Sequence, residues 1–234
     1  MIDINKHKFY LVSILKDIFN DTGLATTIGF KGGTAQMLFY DLPRFSVDLD
    51  FNLLVPHKSE EVYRKIHEIL LNYGKIRDEA KKHFGLLLVL NYGEKERNLK
   101  IELSNREFYD SYETKYYLGI PIKVMVKPDM FAHKLCALLD RNMVANRDIF
   151  DVYYFMQQKT PVNKNIVESR MNMEFKQYID SCILEIEKRP GKSLLNGIGE
   201  LVDDNLKSFV RGQLKEETIQ MLKLYREFPI FSDK

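Results

Sequence analysis

The sequence predicts an α+β fold: a mixed β-sheet with flanking helices over residues 1–127, followed by a helical region over residues 128–234. Three observations lead to it. Phe45, Val47, Leu49 and Phe51 alternate with Ser46, Asp48, Asp50 and Asn52, which is the period of a half-buried strand. Leu11, Ile14, Leu15, Ile18 and Phe19 recur at helical spacing before the turn-forming run Asn20-Asp21-Thr22-Gly23. From Pro128 onward the apolar pattern is helical, interrupted by the breakers Lys159-Thr160-Pro161 and Arg189-Pro190-Gly191.

The remaining elements follow in order. Thr26 to Phe30 reads as a short strand, Lys31-Gly32-Gly33-Thr34 as a turn, and Ala35 to Tyr40 as a helix opening directly after it. Ser59 to Tyr73 reads as a helix with Ser59 as its N-cap and Val62, Ile66, Ile69 and Leu70 inward. Phe84 to Leu90 and Leu99 to Leu103 fit strands, as do Tyr112 to Leu118 and Ile120 to Val126 around Gly119. Pro128 suits the first turn of a helix running to about Asp140. The basic run Lys75, Arg77, Lys81, Lys82 and His83 reads as solvated loop, with the tracking of an RNA backbone as the functional alternative.

Composition narrows the function classes. A chain of 234 residues, 45% hydrophobic, can bury a core, and 35 basic against 33 acidic residues leave a formal charge of +2, so any polyanion site is local. Cys136 and Cys182 lie far apart in sequence, outside any Cys-x-x-Cys pattern, which favours a reducing compartment. The N-terminus lacks the basic-then-apolar order of a secretory signal, and no apolar run approaches the roughly 20 residues of a membrane span, so a cytoplasmic location with no membrane partner is expected. His7, His57, His67, His83 and His133 show no ligand spacing, and no zinc site is expected.

The chemistry concentrates between residues 31 and 51. Carboxylates at i and i+2 on one strand lie about 6.5 Å apart at the backbone. Their repulsion is roughly 2.5 kcal/mol at an effective dielectric of about 20. A cation removes that penalty, and hard oxygen donors suit Mg²⁺ or Mn²⁺. Taken alone, Asp48-Leu49-Asp50 is more often a polar, solvated strand face than a site. Gly32 and Gly33 allow close backbone approach, and Thr34 can cap the helix that follows, whose N-terminus favours anions. Neither the Walker spacing nor the dinucleotide fingerprint is present.

Lys31-Gly32-Gly33-Thr34-Ala35 with Arg44-Phe45-Ser46-Val47-Asp48-Leu49-Asp50-Phe51 resembles the first motif of the DNA polymerase β-like nucleotidyltransferases, in the wording of their AbiEii/AbiGii toxin-like branch. Lys134-Leu135-Cys136-Ala137-Leu138-Leu139-Asp140-Arg141 and Arg147-Asp148-Ile149-Phe150-Asp151 are similar to later motifs of the same branch. The resemblance spans residues 25 to 157 and implies a nucleotidyltransferase-like sheet whose cleft the helical domain helps to form. It also implies Asp48, Asp50 and Glu102 as metal ligands, and Gly32, Gly33, Thr34, Ser46 and Lys134 as nucleotide-binding residues. Asp148 or Asp151 joins the catalytic set, without the motif deciding which. The implied activity moves an NMP from an NTP to a hydroxyl acceptor such as a tRNA 3′ end, with an antitoxin protein as a further partner. A nucleotide- or RNA-binding module without turnover is the alternative.

The residues supply their own bland readings. Glu102 could be a surface glutamate beside Lys100, and Lys134, at the edge of an apolar stripe, would ordinarily snorkel outward. Asp148 could complement a helix dipole, and Asp151 could pair with Arg147. Asp148 and Asp151 are expected on a helix face with Phe155, opposite a buried face of Ile149, Val152, Tyr153 and Met156.

Overall fold

A computed structural model describes residues 3–94, 96–140 and 145–232. Arg141, the last residue of the Lys134 motif, lies outside them. The chain divides into two compact units, Met1–Glu107 with Tyr112–Met125, and Phe108–Ser111 with Val126–Lys234. Within the described residues no helix is long and apolar enough to cross a membrane.

The first unit contains helices α1 (Ile4–Asn20), α2 (Thr22–Thr27), α3 (Gly32–Phe39) and α4 (Ser59–Leu71), with strands β1 (Ile28–Lys31), β2 (Leu49–Leu53), β3 (Lys75–Lys82), β4 (Gly85–Asn91), β5 (Leu99–Ser104), β6 (Tyr112–Tyr117) and β7 (Ile120–Met125). Among the described residues the strands form one seven-stranded mixed sheet in the order β3-β4-β5-β2-β1-β7-β6. β2 runs parallel to β5 and antiparallel to β1, which in turn runs parallel to β7. One face is apolar: Ile28, Phe30, Leu49, Phe51, Leu88, Ile101 and Val124 are fully buried. Helix α1 turns Leu11, Ile14, Leu15, Ile18 and Phe19 inward, and the Phe19 ring stands 6.3 Å from that of Phe51. Each such side chain is worth roughly 1.5–3 kcal/mol of burial.

Local chemistry overrode several sequence expectations. Thr26 and Thr27 end a short helix, because Asp21 caps it through the Leu24 N–H and both threonine hydroxyls bond back to carbonyls of the preceding turn. The N-cap of α4 is Lys58 rather than Ser59, which is its first helical residue. The basic run Lys75 to Lys82 is no loop: it is the edge strand β3, paired antiparallel with β4. Charge on an outermost strand deters pairing with another chain, and here Lys81 also reaches Glu60 at 2.6 Å.

The second unit is helical: α5 (Lys127–Cys136), α6 (Asn146–Gln157), α7 (Lys164–Met171), α8 (Phe175–Glu187), α9 (Asp204–Gly212) and α10 (Leu214–Glu227). Pro128 lies in the first turn of α5, as its fixed φ and missing N–H favour. That helix stops at Cys136, short of Asp140, where the backbone tightens into i→i+3 bonds such as Leu138 N–H to Leu135 O. The core holds Phe131, Phe155, Tyr178 and Tyr225, and the Tyr178 hydroxyl donates to the Leu135 carbonyl at 2.7 Å.

Candidate active site

Alternation holds through the acidic segment: Val47, Leu49 and Phe51 are buried, while Asp48 and Asp50 between them are half-buried. The strand itself begins only at Leu49. Residues 45–48, expected to belong to it, are instead fixed by side chains. Arg44 donates to the Phe45 carbonyl at 3.0 Å, and Thr34 Oγ1 donates to the Asp48 carbonyl at 2.5 Å.

Register gathers the carboxylates. Asp50 stands directly opposite Glu102 on the parallel neighbour β5 and opposite Lys31 on β1. Residues paired this way lie about 4.8 Å apart on one face. Glu102 is exposed, and the Lys100 N–H beside it donates to Asp48 Oδ1 at 3.3 Å. Three carboxylates therefore share a sheet face with lysines beside them. Among the described residues no three His, Cys, Asp or Glu side chains are already gathered into a metal cage. The donor set nonetheless fits Mg²⁺ or Mn²⁺, since Mg²⁺ keeps several waters and binds through one or two carboxylates together with substrate phosphates.

The glycine pair is packed against this segment. Gly32 has φ +79°, and a Cβ placed there would stand 2.2 Å from Asp50 Oδ2. At Gly33 a Cβ would stand 2.7 Å from Ser46 Oγ and 3.1 Å from the Arg44 guanidinium. Arg44 and Ser46 are themselves buried. Both glycines belong to α3, whose N-cap is Lys31, so Thr34 does not cap the helix. Its hydroxyl is committed to Asp48, and the N–H groups of the first turn are the anion-seeking groups here.

In the second unit, Lys134 on α5 does not snorkel outward. Its Nζ lies 2.9 Å from Asp148 Oδ1 and 2.8 Å from Asp151 Oδ2, two carboxylates of α6 that are fully buried. The expected polar face of α6 is thus inside: Asp148, Ile149, Phe150, Asp151, Val152, Phe155 and Met156 are all buried, while Tyr153 is half exposed. Asp151 reaches Lys134, not Arg147 as its spacing alone suggested.

Sequence reasoning passed over one residue at this segment. His7 of α1 is fully buried, with Nε2 2.8 Å from the Val47 carbonyl and Nδ1 2.6 Å from the Tyr92 hydroxyl. Burial pushes its pKa below the ordinary value against the opposing pull of the Val47 carbonyl, which keeps the ring neutral at pH 7. A lone histidine on an apolar helix face carries no signal of a bond made 40 residues away.

A family model described as the nucleotidyl transferase AbiEii toxin of a type IV toxin–antitoxin system matches residues 13–228. The crystal structure of JHP933 from Helicobacter pylori is similar at TM-score 0.61 and 21% identity, covering 97% of this chain and 93% of that one. The crystal structure of a candidate nucleotidyltransferase from H. pylori is similar at TM-score 0.61 and 21% identity, covering 96% and 95%. At that identity the likeness establishes the fold. Comparison with curated proteins gives no match.

Proposed function

We propose a specific reaction on one premise: this chain belongs to the AbiEii nucleotidyl transferase toxin family of type IV toxin–antitoxin systems. The reaction is transfer of an NMP from an NTP to a hydroxyl of RNA, such as a tRNA 3′ end, supported by Mg²⁺ or Mn²⁺. The observation that carries it is the acidic face on which Asp50 and Glu102 are in register, Asp48 lies two residues before Asp50, and the Gly32 backbone abuts the Asp50 carboxylate.

In this reading Asp48, Asp50 and Glu102 hold the cation. Bound there, it supplies Lewis-acid stabilisation of the phosphoryl oxygens and lowers the pKa of the acceptor hydroxyl. The first-turn N–H groups of Gly32, Gly33 and Thr34, with the Ser46 hydroxyl beside them, hold phosphate oxygens. Fixing donor and acceptor in line lets the hydroxyl oxygen bond to the α-phosphorus as pyrophosphate leaves with the bridging oxygen. Lys134, oriented by Asp148 and Asp151, is assigned to phosphate charge, an assignment supported by the likeness of both motifs to the family's. As the toxin of a pair, the chain has an antitoxin protein as its further partner.

The test is incubation with each labelled NTP, Mg²⁺ and total RNA, beside the Asp48→Ala/Asp50→Ala variant. Label entering RNA with the wild type alone is the expected result. NTP bound without transfer to any macromolecule contradicts the reaction and leaves a binding module. Label entering protein instead of RNA contradicts the acceptor only.

A further inference from the structure

Asp48 is half-buried and precedes β2, whose pairing starts at Leu49 with β5 and at Asp50 with β1. The strand ladder therefore does not set its conformation. Its two flanking peptide planes are held by side chains from different helices. The peptide after Asp48 is held by Thr34 of α3, whose hydroxyl donates to the Asp48 carbonyl. The peptide before it contains the Val47 C=O together with the Asp48 N and Cα in one rigid plane, and the Val47 carbonyl receives His7 Nε2 at 2.8 Å.

The hydrogen-bond logic of that contact is fixed. A carbonyl cannot donate, so Nε2 carries the proton and the Nδ1 lone pair accepts from the Tyr92 hydroxyl at 2.6 Å. The pair is clamped in turn, since the Tyr10 ring stacks on Tyr92 at 4.2 Å and Phe45 meets His7 edge-on at 5.9 Å. His7 has no exposed surface and can touch no substrate. Whatever it contributes passes through the main chain.

We infer that His7, oriented by Tyr92, is a positioning residue that sets the Asp48 carboxylate for the cation. The inference rests on the reading of Asp48 as a cation ligand. Metal ligands need placement within about 0.5 Å, and loss of an outer-shell partner typically costs roughly 10–100-fold in metal affinity. The donor at the Val47 carbonyl does for this ligand what a ladder hydrogen bond would do inside the strand.

The test is Mn²⁺ affinity of the full chain without nucleotide, read by electron paramagnetic resonance, with a melting curve for each variant. The Gln side chain can place its amide N–H where Nε2 stands, whereas Asn reaches only the Nδ1 position. His7→Asn is expected to lose roughly tenfold or more in Mn²⁺ affinity, and His7→Gln to bind close to wild type. Unchanged affinity in a folded His7→Asn protein, or equal loss in both variants, overturns the inference. Should His7→Asn fail to fold, Tyr92→Phe carries the test, because it keeps the stacked ring and removes only the hydroxyl that orients the imidazole. Weaker Mn²⁺ binding at an unchanged fold is then expected, and unchanged binding overturns the inference. Asp48→Asn is the control: if it binds Mn²⁺ like wild type, the cation site and the inference fall together, whereas its loss beside a normally binding His7→Asn protein removes the inference alone.

Discussion

At Gly32 and Gly33 the same missing Cβ matters for two different reasons. Gly32 is left-handed, at φ +79°, and its Cα faces the Asp50 carboxylate. Gly32→Ala therefore meets both backbone strain of order 1–3 kcal/mol and a contact that displaces Asp50. Gly33 meets only side chains, the nearer being Ser46 Oγ at 2.7 Å. Gly33→Ala should be the milder change, and Ser46→Ala introduced with it should restore most of the lost stability. Urea unfolding of the three proteins decides this, and a double variant no more stable than Gly33→Ala alone would sink the steric account. Lys134 presents the opposite problem. It bridges two buried carboxylates, so Lys134→Ala removes a cation from both, and breaking a buried pair of this kind costs roughly 3–5 kcal/mol. A drop in urea midpoint is expected before any effect on nucleotide can be read, and a loss below about 1 kcal/mol would mean that the carboxylates find other compensation.

Among the elements, α2 shows how one residue creates a helix that periodicity does not announce. Asp21 accepts from the Leu24 N–H at 2.9 Å and from Lys65 Nζ at 2.8 Å. Burial works to raise its pKa, but the Lys65 and Leu24 hydrogen bonds outweigh it and hold the carboxyl below its ordinary value of 3.8. A depressed carboxylate contributes stability that is present above the ordinary pKa and lost as pH falls through the folded one. Asn caps a helix about as well as Asp, so Asp21→Asn loses mainly the Lys65 ion pair and should be less stable than wild type at pH 7 by up to about 1 kcal/mol, with the gap closing as pH drops below 3.8. A gap that persists unchanged in acid would contradict the assignment. The strands facing the core were legible because burial on one side imposes alternation: Leu99, Ile101 and Leu103 are buried while Lys100 and Glu102 are exposed. Strand β3 was not, because an edge strand carries charge where a central one carries Val or Ile. The start of β2 was misplaced for a related reason. Phe45 and Val47 are buried and Asp48 half-buried, so the segment shares the strand's apolar-polar spacing, yet the Phe45, Val47 and Asp48 carbonyls accept from the side chains of Arg44, His7 and Thr34.

Over the whole molecule, the division of labour follows the chemistry of each half. The sheet unit carries the carboxylates and the glycine pair, and the helical unit carries the Lys134 cluster. The glycine and Asp-x-Asp spacings were readable in sequence because they are local, and the family match over residues 13–228 rests on a longer stretch than those motifs span. The contacts that hold the Val47 carbonyl were unreadable because His7 and Tyr92 meet across 85 residues and His7 bonds a backbone atom, which leaves no pattern. The register that sets Glu102 opposite Asp50 likewise belongs to the parallel pairing, which no local signal encodes. We propose that these carboxylates serve transfer and not folding. Asp48→Asn and Asp50→Asn each keep shape while removing charge, so the decisive measurement is Mg²⁺-dependent transfer of labelled NMP to RNA by both variants, alongside their melting curves. Abolished transfer with a melting temperature equal to or slightly above wild type is the predicted result, because relief of like-charge repulsion offsets any lost contact. Near wild-type transfer by either folded variant would contradict it.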